Sequence, residues 1–104
     1  MKSLDNPHIV KLIDVFKTIN NTYIVTELCI GGDLRELMLV VKFSETQAIK
    51  VIQDILEACI ETYRHGVVHR DIKPANILFD GKANYKLTDF GFARKLDNIE
   101  AELM

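Results

Sequence analysis

Residues 44 to 66, SETQAIKVIQDILEACIETYRHG, carry a start signal, an apolar repeat and a stop signal in one uninterrupted stretch. Ser44 and Gln47 have the spacing of a capping box, in which each side chain bonds the other residue's backbone N–H. Behind them Ala48, Val51, Ile52, Ile55, Cys59 and Tyr63 recur at intervals of three and four, the repeat of a single helix face. Gly66 suits the left-handed stop that follows many helices. The pattern predicts a helix of about five turns. Such a helix is long for a small chain, and its stripe must be buried against something else.

The flanking sequence supplies short strands. Ile9 to Phe16 and Tyr23 to Glu27 are rich in Ile, Val, Phe and Tyr, and Asn20-Asn21 between them is good turn chemistry, so an antiparallel hairpin is expected. Gly31-Gly32 breaks that pattern, and Asp33 can cap a short helix running to about Val40, with Glu36 three residues on. Ile77 to Phe79 and Tyr85 to Leu87 predict a second, smaller hairpin around Asp80-Gly81. The fold class is therefore α+β.

Composition closes off several functions. Thirteen basic against fifteen acidic residues give a net charge of −2, so there is no electrostatic case for nucleic acid. The longest apolar run, Leu37 to Val41, is too short for membrane insertion, and MKSLDNPHIV lacks the apolar core of a signal peptide. Cys29 and Cys59 form no C-x-x-C pair, which reads as two thiols in a reducing compartment. A cytoplasmic protein is expected.

The chemistry-bearing residues concentrate in VVHRDIKPANILFD, residues 67 to 80, and in TDFG, residues 88 to 91. His69-Arg70-Asp71 followed by Asn76 fits H-R-D-x-x-x-x-N, and Asp89-Phe90-Gly91 fits the D-F-G that follows it in protein kinases. The chain resembles the catalytic domain of eukaryotic serine/threonine protein kinases from Asn6 to Leu96. Taken singly, Asp71, Asn76 and Asp89 are residues that often cap turns; their joint spacing is what carries the resemblance. Phosphotransferases of the aminoglycoside type share the fold but usually show H-G-D, and lack both the Lys and a true D-F-G. Arg70, Lys73 and Phe90 separate the chain from them.

The resemblance implies ATP and Mg²⁺ as cofactors and a protein Ser or Thr hydroxyl as acceptor. Asp71 would orient that hydroxyl and accept its proton, and Lys73 would offset charge on the transferred phosphate. Asn76 and Asp89 would hold Mg²⁺. Lys73 within D-x-K-P resembles the serine/threonine pattern, since tyrosine kinases typically carry Ala-Ala-Arg there. YIVTELCIGGDL is similar to the family's fifth strand and hinge. Thr26 would be the gatekeeper, the backbones of Glu27 and Cys29 would meet adenine, Asp33 the ribose, and Leu78 would floor the pocket. Asp33 is equally explained as a helix cap, and Leu78 as core. His69 and Phe90 are expected to pack with Leu12 in an internal spine.

The chain also departs from the family pattern. It shows no G-x-G-x-x-G, V-A-I-K or A-P-E, and residues 92 to 104, FARKLDNIEAELM, contain no Ser, Thr or Tyr. Arg70 in the family often pairs with a phosphate in that segment. Ala75 stands where the family frequently has an acidic or amide residue, which bears on a substrate or ribose contact. The expected organisation is a partial kinase domain. Residues 1–27 would be a remnant of the upper lobe, 28–32 the hinge, 33–91 the upper part of the helical lower lobe, and 92–104 the start of the activation segment. A kinase-derived binding or regulatory module without catalysis is the alternative.

Overall fold

The structure is a computed structural model, and it describes residues 5–90 and 93–95. The expectation for residues 92–104 thus falls largely outside the described residues, as do Gly91 and residues 1–4. In chain order the elements are β1 (Leu12–Lys17), β2 (Thr22–Thr26), α1 (Leu34–Val40), α2 (Glu45–Arg64), β3 (Val67–Val68), β4 (Ile77–Phe79), β5 (Tyr85–Leu87) and β6 (Arg94–Lys95). A 3₁₀ turn at Pro74–Asn76 leads into β4. The strands form three antiparallel pairs, β1 with β2, β3 with β6, and β4 with β5.

Helix α2 starts and stops where its signals lie. Ser44 Oγ accepts the Gln47 N–H at 3.1 Å while Gln47 Oε1 accepts the Ser44 N–H at 2.8 Å, and Gly66 has φ +73°. The buried stripe is rotated from the expected one. Val51, Asp54, Ile55, Ala58 and Thr62 face inward, whereas Ile52 and Tyr63 are 59% and 62% exposed. Two apolar repeats run along this helix, and periodicity alone does not choose between them. The inner one joins Ile9, Leu34, Ile77 and Leu87 in the core, with Phe43, Cys59, Tyr85 and Phe90 packed around it.

The first hairpin begins later than its composition suggests. Strand β1 opens at Leu12 with an irregularity before Asp14. Ile9 instead pairs in parallel with Leu87: the Leu87 N–H donates to His8 O at 2.8 Å and the Val10 N–H to Leu87 O at 3.0 Å. The chain thus passes from β5's edge into the hairpin, which keeps an exposed apolar surface at Ile13, Val15, Phe16 and Ile24. Phe16 and Tyr23 stack at 5.1 Å across the strands. The small hairpin β4–β5 falls at its expected bounds, and Asp80 Oδ1 closes its turn by accepting the N–H groups of Lys82, Ala83 and Asn84.

Candidate active site

The loop between β3 and β4 is shaped by backbone conformations that few side chains adopt. Arg70 has φ +70°, and Asp89, just past β5, has φ +59°. Left-handed backbone at non-glycine residues is uncommon and concentrates where surrounding contacts over-determine it.

Those contacts are present. The buried His69 ring makes two hydrogen bonds: Nε2 lies 2.9 Å from Thr88 O, and Nδ1 lies 3.1 Å from the Asp71 backbone N. The Asp71 N–H must donate to Nδ1, so Nε2 carries the proton and donates to Thr88. The same ring meets Phe90 edge-on, with centroids 4.7 Å apart. His69 therefore does more than pack. It holds the backbone at the Asp71 N–H and at the Thr88 carbonyl just before Asp89, a role that the resemblance to a packing spine did not reveal.

Asn76 completes the arrangement from the 3₁₀ turn. Its Nδ2 donates to the backbone carbonyl of Asp71 at 2.9 Å and to Asp71 Oδ2 at 3.1 Å. With Nδ2 committed, the amide oxygen is the atom that can face a cation. The Thr88 N–H donates to Asn76 O at 2.9 Å, tying the loop to the residue before Asp89. Lys73 Nζ lies 3.7 Å from Asp71 Oδ2 on a side chain that is about half exposed. Asp71, Lys73 and Asn76 are thus one cluster. Asp89 is joined to it through Thr88. An amide oxygen and a carboxylate are the hard oxygen donors that suit Mg²⁺.

The expected hinge residues lie on one strip fastened to β4. The Gly31 N–H donates to Phe79 O at 2.9 Å and the Phe79 N–H to Gly32 O at 2.8 Å, and Asp33 bridges to Leu78. A Cβ at Gly31 would come within 2.7 Å of Phe79 O, so only glycine permits this approach. Cys29 is buried, and its thiol is pushed up first by burial and then by the Glu27 carboxylate. The Glu27 side chain accepts the Lys11 N–H at 3.1 Å and pairs with Lys86 of β5. Asp33 Oδ1 accepts the Glu36 N–H at 2.8 Å, confirming its capping role.

A cavity of about 460 Å³ lies between the first hairpin and the segment ending in Phe90. It is lined by Val10, Leu12, Val15, Ile24, Thr26, Thr88, Asp89 and Phe90. Asp89 and Thr26 reach it, whereas Glu27, Cys29, Asp33 and Leu78 do not line it. Leu12 and Phe90 both line it.

A model of the protein kinase domain matches residues 1–103. The chain belongs to the protein kinase domain family. Its described residues form a partial kinase fold: the upper-lobe hairpin, the hinge strip, and the upper part of the lower lobe with its small hairpin. Among its relatives, serine/threonine-protein kinase greatwall of Homo sapiens is 38% identical over 100 residues, covering 95% of this chain and 11% of that protein. The greatwall kinase of Xenopus laevis is 41% identical over 90 residues, covering 86% of this chain and 10% of its own. Calcium-dependent protein kinase 6 of Plasmodium berghei is 43% identical over 103 residues, covering 93% of this chain and 7% of its own. The chain thus spans about a tenth of the length of these relatives.

Proposed function

We propose that these residues are the catalytic loop and nucleotide-facing strip of a serine/threonine protein kinase that transfers the γ-phosphoryl group of ATP to protein hydroxyls. The observation that carries this reading is the grip of Asn76 on both the carbonyl and the carboxylate of Asp71. It holds one carboxylate oxygen in place and leaves the other to meet an acceptor hydroxyl. Asp71 orients that hydroxyl and takes its proton as the new P–O bond forms. Lys73, beside Asp71 and about half exposed, faces the charge on the transferred group. Asn76 and Asp89 would hold Mg²⁺, which supplies charge neutralisation at the phosphates.

Adenine would meet the backbone of Glu27 and Cys29, the ribose Asp33, and Leu78 would lie under the base. The Glu27 N–H is taken by Lys11 O at 3.0 Å, so an adenine contact at this residue would fall to its carbonyl, while the Lys11 N–H and Lys86 occupy the side chain. No helix among the described residues is long and apolar enough to cross a membrane. A cytoplasmic setting remains part of the proposal, consistent with the free thiols of Cys29 and Cys59.

The test is acceptor choice in a version of this chain extended to a full kinase domain. Peptide arrays incubated with labelled ATP should be labelled at Ser and Thr. Labelling dominated by Tyr, or none at any hydroxyl, would contradict the reading.

A further inference from the structure

Lys86 stands in the middle of β5, three residues before Asp89, and takes no part in the chemistry above. Its ammonium pairs with Glu27 Oε1, and the two side chains are only 15% and 26% exposed. An ammonium so far withdrawn from water needs a charged partner, and removing that partner leaves a charge uncompensated. The Glu27 carboxylate serves more than Lys86. Its Oε2 accepts the Lys11 N–H at 3.1 Å, while the Glu27 N–H donates to Lys11 O at 3.0 Å. Its Oε1 also lies 3.9 Å from the Cys29 thiol. One carboxylate therefore joins the entry to β1, the strip that follows β2, and β5.

The strip is held to the small hairpin in two ways. Its backbone is bonded to β4 at Phe79 and bridged at Leu78, and Lys86 lies directly opposite Leu78 in the β4–β5 pair. Residues opposed in this way share a face of their hairpin. The Glu27–Lys86 pair adds a side-chain tie to β5, the strand that runs on through Thr88 to Asp89.

We propose that Lys86 is a positioning residue for the nucleotide. Through Glu27 it sets the spacing between the strip that would receive adenine and Asp89, which would receive the phosphate-bound cation. The proposal rests on the kinase reading. Neither the Lys86 ammonium nor the Glu27 carboxylate would touch the nucleotide. They hold two subsites at one separation, so that a ligand spanning both binds without rearranging either. A ligand filling the adenine subsite alone gains nothing from that spacing.

The test compares Mg²⁺–ATP with adenosine by titration calorimetry, in a version of this chain extended to a full kinase domain. Lys86→Met removes the charge and keeps a long side chain. It should weaken Mg²⁺–ATP binding at least about tenfold and adenosine binding less than about twofold. Lys86→Arg, which keeps the charge, should stay within about threefold of the unmodified version for both ligands. Glu27→Gln keeps an acceptor for the Lys11 N–H and should repeat the split, so it carries the test even where Lys86→Met fails to fold. The junction itself is read without nucleotide, by hydrogen–deuterium exchange of the full 104-residue chain. The Lys11 and Glu27 amides should exchange at least about fivefold faster in Lys86→Met than in the unmodified chain. Equal weakening of both ligands would overturn the proposal, as would unchanged exchange at those amides. Failure of the unmodified version to bind Mg²⁺–ATP at all would overturn the kinase reading and the proposal with it.

Discussion

His69 and Thr88 lie nineteen residues apart in sequence and are joined at 2.9 Å through Nε2 and a backbone carbonyl. The other ring nitrogen accepts the Asp71 N–H, so a single side chain sets the backbone at Asp71 and next to Asp89. Substituting His69→Phe keeps an aromatic surface for Phe90 but removes both bonds. Because the carbonyl and the N–H would then be left without their partner, the variant should lose about 1–3 kcal/mol in urea unfolding of an extended domain. Its turnover should fall more than its apparent affinity for ATP.

Gly31 makes the hinge strip dependent on the absence of a side chain. Gly31→Ala would press a Cβ against the backbone of Phe79, which cannot step aside as a flexible side chain would. A loss of about 1–3 kcal/mol is expected, measured by the same unfolding experiment. ATP binding should weaken with it, since the strip holding Cys29 would separate from β4.

Asp80 couples the β4–β5 turn to acid. Its burial opposes ionisation, but N–H donors from Lys82, Asn84 and Ala83 outweigh this and hold the carboxyl below its ordinary value. A depressed folded-state value means that the stabilisation is present above the unfolded value and lost as pH falls through the folded one. Exchange protection of the β4–β5 turn should therefore drop below about pH 4. Asp80→Asn should show a weaker turn at neutral pH and a smaller acid effect.

Much of this architecture is legible in the residues. The capping box and Gly66 bound α2, and the turn chemistry at Asp80-Gly81 places β4 and β5, because both signals are local. The remainder depends on contacts between distant segments. Ile9 and Val10 look like the start of β1, but their partner is Leu87, and nothing local says which sheet an apolar pair will join. The two-residue strands β3 and β6 pair across 25 or more residues and carry no periodicity. Asp54, Thr62 and His8 are buried polar residues, so a search for apolar stripes passes over them. The motif spacing brought Asp71, Lys73 and Asn76 together correctly, while the two hydrogen bonds of His69 needed the folded geometry to be seen.

The outer face of α2 bears on solubility. Ile49, Ile52, Leu56, Ile60 and Tyr63 recur at helical spacing and are all about half exposed or more. Together with the apolar hairpin surface they make a patch of the kind that drives association. The 104-residue chain expressed alone should form oligomers or aggregates. Combined Ile52→Lys, Leu56→Glu and Ile60→Lys should shift it toward monomer in light scattering. A soluble, cooperatively melting monomer without those changes would contradict the expectation. The chain alone should also be inactive, since its sequence carries neither the glycine-rich loop nor the V-A-I-K lysine that position phosphates.

The most direct measurement is single-turnover phosphoryl transfer, alongside Mg²⁺-dependent ATP binding, in a domain-length version carrying Asp71→Asn or Asp89→Asn. Asp71→Asn should lower transfer by at least about a hundredfold and leave ATP binding nearly unchanged. Asp89→Asn should lower both, because a carboxylate expected to hold the cation is gone. Near-normal transfer in either variant would contradict the account, as would loss of ATP binding in Asp71→Asn with no effect in Asp89→Asn.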